Sequence, residues 1–130
     1  MADQSARSTP RYERLEAWRA AHQLALKIYI VTPSLPKSEQ FGLGAQMRRS
    51  AVSISCNIVE GSMRPGTAEY RRFVGIALAS FAELRYQVRL CAELELIPEQ
   101  VIRELTTLID QAGRLTWGLF RGLGGSRRRR

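Results

Sequence analysis

The stretch QMRRSAVSISCNIVEG, residues 46–61, decides the fold. As an α-helix turning about 100° per residue, it has two apolar stripes instead of one. The first stripe contains Leu43, Met47, Ile54 and Ile58, and the second contains Phe41, Ala45, Val52 and Val59. Between them runs a polar line of Gln46, Arg49, Ser53, Asn57 and Glu60. Because a surface helix needs only one apolar stripe, this pattern predicts a helix covered on two sides, whose polar line fixes register within the bundle or between subunits.

Three further helices are predicted around this stretch. The first begins near residue 12 and ends at the prolines of residues 33–36, and the second begins after Ser38. The third and fourth helices each carry an apolar heptad seam. The seam of the third contains Tyr70, Val74, Ala77, Phe81, Leu84, Val88 and Cys91, and that of the fourth contains Val101, Leu105, Leu108, Ala112, Leu115 and Leu119. Three glycines within residues 122–125 are predicted to end the fourth helix.

Four helices with short connections predict an all-α, antiparallel, up-down-up-down four-helix bundle. The apolar arcs are wider than one neighbouring helix requires, so the bundle is also expected to bury a face against copies of itself in a closed ring. Periodicity does not give the number of copies. The predicted organisation is a flexible N-terminal arm at residues 1–11, the bundle at residues 12–123 and a basic disordered tail at residues 124–130.

The chain has 130 residues and a formal net charge of +8, with four of its 20 basic residues in the C-terminal run 127–130. Its length fits a single domain. The basic balance favours a polyanionic partner without choosing between nucleic acid and an acidic membrane surface. The N-terminus lacks the apolar core of a signal peptide, and no stretch approaches the about 18 apolar residues of a membrane span. We therefore expect a cytoplasmic location and no membrane partner.

No residue pattern indicates a catalytic, metal or cofactor site. His22, the only histidine, lies on the apolar seam of the first helix, and no second ligand stands at a spacing that suggests zinc. Glu60 and Glu83 are a conceivable acid–base pair, with salt bridges to arginines as the favoured alternative. Cys56 and Cys91 are expected to be buried free thiols. The sequence therefore predicts no enzymatic activity, no metal and no cofactor.

Arginines form stripes on the last two helices. Helical spacing groups one trio on an edge of the third helix and another on the outer edge of the fourth. A planar guanidinium binds phosphate oxygens in pairs, whereas the alternative is a solvated helix face. Few aromatic residues are expected outside the core, so base-specific readout is not indicated. The candidate nucleic-acid-binding residues are Arg71, Arg85, Arg89, Arg103, Arg114, Arg121, Arg127, Arg128, Arg129 and Arg130.

Residues 12–120 resemble a known family, and the most specific matches lie in the second and third helices. The matching elements are Gln46-Met47-Arg48-Arg49, Ser53-Ile54, Asn57-Ile58-Val59-Glu60-Gly61, Glu69-Tyr70-Arg71-Arg72-Phe73 and residues 76–84. Together they are similar to the bacterial four-helix-bundle family encoded in intervening sequences of 23S ribosomal RNA genes. The resemblance implies a pentameric barrel without enzymatic activity. The similar accessory variability proteins of diversity-generating retroelements are basic pentamers that bind nucleic acid and partner a reverse transcriptase.

The leading hypothesis is a non-enzymatic, homo-oligomeric helical-bundle protein that binds RNA or DNA through arginine-rich surfaces with little sequence specificity. The alternative is a protein-interaction scaffold, or an accessory subunit of a nucleic-acid enzyme such as a reverse transcriptase. Under both hypotheses the polar line of residues 46–60 has a structural and assembly role. The choice between RNA and DNA stays open at this point.

Overall fold

The computed structural model describes residues 11–128, which form four α-helices. The helices are α1 (Glu16–Val31), α2 (Leu43–Ser62), α3 (Thr67–Glu93) and α4 (Glu99–Arg128). Short 3-10 helices at Arg11–Arg14, Thr32–Ser34 and Lys37–Glu39 precede α1 and connect it to α2. No strand occurs within the described residues, so the predicted all-α class is confirmed. None of these helices is long and apolar enough to cross a membrane.

Contacts between the helices show that neighbours run antiparallel. The contacts that show this direction are Lys27–Glu104 between α1 and α4, Met47–Cys91 between α2 and α3, and Arg71–Phe120 between α3 and α4. Each helix packs against the next along the chain, and α1 packs against α4. Within residues 11–128, neither α1 and α3 nor α2 and α4 approach each other in this way. This arrangement is the predicted up-down-up-down bundle, in which diagonal helices are separated by the core.

The core is built from the predicted seams. The first apolar stripe of α2 is buried at Met47, Ile54 and Ile58. The buried seam of α3 contains Val74, Ala77, Phe81, Leu84, Val88 and Cys91. In α4 the fully enclosed positions include Leu105 and Ala112, while the outer members of its seam are half-buried. The heptad spacing works here because every third or fourth residue returns to the same helix side.

The turn between α3 and α4 sets the start of α4. The amide of Leu96 donates to the carbonyl of Cys91 at 2.9 Å, and the amide of Glu95 donates to Ala92 at 3.2 Å. These two bonds cap the last carbonyls of α3 in a Schellman arrangement. Glu95 adopts the left-handed conformation, with φ of +54°, that such a cap requires. The chain reverses there, and Glu99 begins α4 after Pro98.

Two helix boundaries differ from the prediction. α2 begins at Leu43 after a Gly42 cap, because residues 37–39 form a separate 3-10 turn, so Ser38 does not cap it. α4 continues through the glycines to Arg128, so the predicted end at residues 122–125 is wrong. Glycine weakens a helix by about 1 kcal/mol but, unlike proline, keeps its amide donor, so packing can sustain the helix. The proposed N-terminal arm lies outside the described residues except at Arg11.

The second apolar stripe of α2 faces outward. Phe41, predicted to lie on this stripe, instead lies in the turn before α2 and is 94% exposed. Within α2, Val52 is exposed, and Ala45 and Val59 are half-buried. The large exposed side chains Tyr29 and Ile30 of α1 add to the apolar surface outside the core. Within one bundle, therefore, α2 is covered on one side only. Covering of the other side by a second copy stays a prediction.

Candidate functional site

The outer face of α4 carries three exposed arginines on the side opposite its buried seam. Arg103 forms an ion pair with Glu99, with Nη1 3.3 Å from Oε2. Within residues 11–124, the side chains of Arg114 and Arg121 form no ion pair and donate no hydrogen bond, and both are exposed. Their guanidinium groups have unused donors, which makes them the most available cations of this face.

The α3 stripe contributes two arginines in exposed ion pairs. Arg85 Nη1 lies 2.6 Å from Asp110 Oδ1 of α4, and Arg89 Nε donates to Glu93 Oε2 at 2.8 Å. The hydrogen bond from Arg89 to Glu93 raises the pKa of the Arg89 guanidinium above its usual value, so its charge is secure. Exposed ion pairs contribute little to stability, so these arginines can exchange a carboxylate for a phosphate at small cost.

Arg71 has a different environment from the rest of its stripe. Its Nε donates to the main-chain carbonyl of Phe120 at 3.2 Å, and its guanidinium carbon lies 3.7 Å from the centroid of the Phe120 ring. The side chain is half-buried and passes directly beneath Gly124. Arg71 thus joins the start of α3 to the end of α4, and its geometry supports a packing role before a phosphate-binding one.

The C-terminal arginines lie mostly beyond the described structure. The backbone at Arg127 and Arg128 forms the last residues of α4, whereas their side chains, together with Arg129 and Arg130, lie outside the described residues. The predicted phosphate-binding role of these four residues stays a prediction.

The polar line of α2 divides into two parts. Ser53 and Asn57 are half-buried toward α3, where Ser53 Oγ lies 2.9 Å from Ser80 Oγ and Asn57 Nδ2 donates to Ser53 O at 2.8 Å. Glu60 instead pairs with Arg64 at 2.8 Å on the surface. The side chains of Gln46 and Arg49 are exposed and form no hydrogen bond or ion pair within the described structure. The middle of the line therefore contributes polar contacts between α2 and α3, and its outer members stay available for assembly.

The conceivable acid–base pair does not form. Ser80 contacts Ser53, and since neighbouring helices are antiparallel, Glu83 lies level with residue 50 of α2. At 1.5 Å per residue, about 15 Å along the bundle separates Glu83 from Glu60. No cluster of histidine, cysteine and carboxylate side chains that fits a metal ion occurs among the described residues. His22 stacks on Trp18, with 4.8 Å between ring centroids.

The two thiols differ in environment. Cys91 is buried, as predicted, and its Sγ lies 3.6 Å from Met47 Sδ. Burial raises the pKa of the Cys91 thiol to about 11. Cys56 is exposed, so the prediction of a buried thiol is wrong there. Its position belongs to the outward-facing side of α2, one turn after Val52.

Trp117 is a residue of this surface that the predicted site lacks. It lies on α4 with 48% of its surface exposed, beside the arginines of the outer face. A signal for it exists in the sequence, since Trp117 stands one helical turn before Arg121. The prediction that most aromatic side chains pack in the core did not single out this exposed position.

The comparison with protein families matches residues 13–118 to the model described as 23S rRNA-intervening sequence protein. The chain belongs to this family. Among curated proteins, none matches its sequence significantly. The predicted family resemblance is thereby confirmed for the ribosomal-gene members.

A solved structure supports the fold of this family member. The crystal structure of a protein of unknown function from the S23 ribosomal protein family of Bacteroides thetaiotaomicron VPI-5482 superposes with a TM-score of 0.75. The two sequences are 21% identical, and the match covers 81% of this chain and 98% of the other. At this identity the similarity shows the shared fold alone.

The surface of this 23S rRNA-intervening sequence family member is suited to binding an anion without covalent chemistry. Two free arginines on α4 and two weakly paired arginines on α3 lie along the same side of the bundle. Guanidinium groups bind phosphate through paired donors. This side of α3 and α4 is the candidate site.

Proposed function

We propose that the protein is a non-enzymatic, cytoplasmic, ring-forming helical bundle that binds RNA or DNA through the arginines of α3 and α4. The observation that carries the proposal is the pair of exposed, unpaired arginines, Arg114 and Arg121, on one face of α4. The net charge of +8 adds a long-range attraction for polyanions. The family name, which refers to intervening sequences of 23S rRNA, supports RNA as one ligand.

Binding through phosphates should depend steeply on salt, because each neutralised phosphate releases counterions. The test is fluorescence anisotropy with a panel of labelled RNA and DNA over a range of salt concentrations. The double variant Arg114→Ala/Arg121→Ala should weaken binding to every sequence and lower the slope of log affinity against log salt by about one per arginine. Absence of binding to any ligand, even at low salt, would contradict the proposal.

Two controls separate the body of the bundle from its tail. The variant Lys37→Ala removes another exposed, unpaired cation, from the turn before α2, and should leave the slope unchanged. Deletion of residues 127–130 should weaken binding only in part. Complete loss on deletion would assign all binding to the tail and remove the proposed role of α3 and α4.

Assembly is the second part of the proposal. The outward stripe of α2, together with the almost fully exposed Phe41 in the turn before it, supports contact with a further copy, since large exposed apolar surfaces mark interaction sites. We propose a closed ring of five copies, the number that the family resemblance implies. The exposed side chains of Gln46 and Arg49 on the polar line would then fix the register between subunits, whereas Ser53 and Asn57 act within one bundle.

The same apolar surface favours one alternative function. A scaffold whose partner is a protein, such as a reverse transcriptase, would also use the exposed stripe of α2. Affinity purification from the native host separates the two functions. Co-purifying RNA or DNA supports nucleic-acid binding, whereas a stoichiometric protein partner that stays bound after nuclease treatment supports the scaffold.

A further inference from the structure

A groove of about 400 Å³ lies between α3 and α4 on the arginine-bearing side. Its floor is apolar and includes Leu78 and Phe81, while Arg85 and Arg114 lie at its rim and Trp117 forms part of its wall. We call it the Trp117 groove. Its volume is within the range of about 300–1,000 Å³ that is common for small-molecule sites.

The indole of Trp117 is held in place and open at the same time. It stacks on Phe120, with 5.4 Å between ring centroids and 21° between ring planes, and Arg71 stacks on that same phenyl ring. The side chain nevertheless stays 48% exposed. Contact with Phe120 restricts the ring, so little conformational freedom is lost when a ligand stacks on it.

Gly113 keeps the space beside the indole free. Helical side chains lean toward the N-terminus, so Trp117 lies over the turn that contains Gly113. A Cβ atom at position 113 would have its nearest neighbours at 3.8 Å, in Arg85, and at 4.0 Å, in Phe81. The absence of a side chain there leaves an opening into the groove next to the exposed ring.

Cations stand on both sides of the ring. Arg114 lies at the groove rim and Arg121 follows Trp117 by one helical turn, and neither forms an ion pair within residues 11–124. Arg85 is kept at the rim by Asp110 at 2.6 Å. An exposed aromatic ring with flanking cations is the combination by which proteins bind single strands, since bases stack on the ring while phosphates contact the cations.

We propose that the Trp117 groove binds single-stranded nucleic acid, with one unpaired base stacked on Trp117 and neighbouring phosphates on Arg114 and Arg121. This inference rests on the proposed function and adds the form of the ligand. In a duplex the bases are stacked inside and only phosphates and groove edges are exposed. A duplex therefore contacts the arginines without using the indole.

The test compares three ligands of equal length: an oligothymidylate, an abasic strand with the same phosphates, and a duplex. Trp117→Ala should weaken binding of the base-containing strand about fivefold or more, the usual effect of removing a stacking ring. Binding of the abasic strand and of the duplex should change less than twofold. Trp117→Phe should restore most of the affinity, because a phenyl ring still stacks.

Two controls accompany these variants. Tyr86→Ala removes a more exposed ring of α3, 61% accessible, that does not line the groove, and it should leave all three affinities unchanged. Thermal unfolding by circular dichroism verifies that each variant folds. In a Trp18→Phe background Trp117 is the only tryptophan, and its fluorescence should be quenched by the base-containing strand but not by the abasic one.

The outcomes distinguish the inference from the function on which it rests. Salt-dependent binding of all three ligands that is insensitive to Trp117→Ala overturns the single-strand site and leaves the proposed function standing. If Trp117→Ala weakens binding of the base-containing and the abasic strand equally, the single-strand site is also overturned and the proposed function stands. A third outcome is that Trp117 fluoresces as a buried ring and that Trp117→Ala changes the sedimentation of the protein. These two results together would show that a second copy covers the indole, and they would also overturn the single-strand site. Absence of binding to every ligand overturns both.

Discussion

At the scale of single residues, Gly61 shows how closely α2 and α3 approach each other. A Cβ atom at this position would lie 2.9 Å from Phe73 Cβ and 3.1 Å from Tyr70 Cδ1. Gly61→Ala should therefore destabilise the bundle by about 1–3 kcal/mol, because overpacking forces the helices apart. Urea unfolding monitored by circular dichroism measures the change in the free energy of unfolding.

Gly118 provides the matched control for this prediction. It lies within α4, and a Cβ atom there would have no neighbour within 4 Å. Gly118→Ala should stabilise the protein by up to about 1 kcal/mol, since alanine favours the helix. If Gly61→Ala and Gly118→Ala have the same free energy of unfolding, α2 and α3 do not approach each other closely at Gly61.

At the scale of helices, Arg71 sustains the end of α4. It stacks on Phe120, donates to that residue's carbonyl, and passes within 2.7 Å of a Cβ position at Gly124. Arg71→Ala should lower the free energy of local opening of the last described turns of α4 by about 1 kcal/mol or more, since a cation–π contact and a charged hydrogen bond are lost. Hydrogen exchange of the amides at residues 120–124 measures this opening.

Arg71→Lys separates charge from shape in the same contact. Lysine keeps the positive charge but loses the flat, forked guanidinium. In the Arg71→Lys variant, the amides of residues 120–124 should exchange nearly as fast as in Arg71→Ala. The control Arg85→Ala removes only an exposed ion pair and should leave these amides protected. Protection equal to that of the unaltered protein in Arg71→Lys would show that charge alone suffices.

Helices α3 and α4 also show which structural features their sequence patterns predict. The seams of α3 and α4 predict both helices and their buried sides, because periodic burial is a property of one helix by itself. The packing of Arg71 on Phe120 depends on the level at which two helices meet, which no single-helix pattern contains. For the same reason, three glycines predict an end to α4 that interhelical packing overrides. The Trp117 groove is likewise formed by residues of both helices, so the pattern of one helix does not predict it.

At the scale of the whole molecule, one bundle covers only the first of the two apolar stripes of α2. One bundle buries Met47, Ile54 and Ile58 and leaves Phe41 and Val52 exposed. A second copy of the chain can bury the outward stripe, because every copy presents the same stripe and the same remaining surface. Assembly would also place several candidate nucleic-acid surfaces around one axis. A stable monomer in sedimentation experiments would contradict the proposed ring.

Cys56 reports directly on whether this stripe is covered. It is the exposed thiol of the outward-facing side of α2, whereas Cys91 is buried and the raised pKa of its thiol, about 11, keeps it protonated near neutral pH. In separated protomers one thiol should react quickly with a disulfide reagent, and the second only after unfolding. In the assembled protein the first should also react slowly, about tenfold or more below its rate at high dilution, because a subunit interface excludes the reagent.

Val52→Asp completes this test, because a charge on the stripe opposes burial against another copy. The variant should sediment as a monomer and should restore fast reaction of Cys56 at every protein concentration. Thr107→Asp, which places the same charge on the exposed side of α4, is the control and should change neither property. Fast reaction of Cys56 in the unaltered protein at all concentrations would instead show that the stripe is open, and that α2 is covered by its own bundle alone.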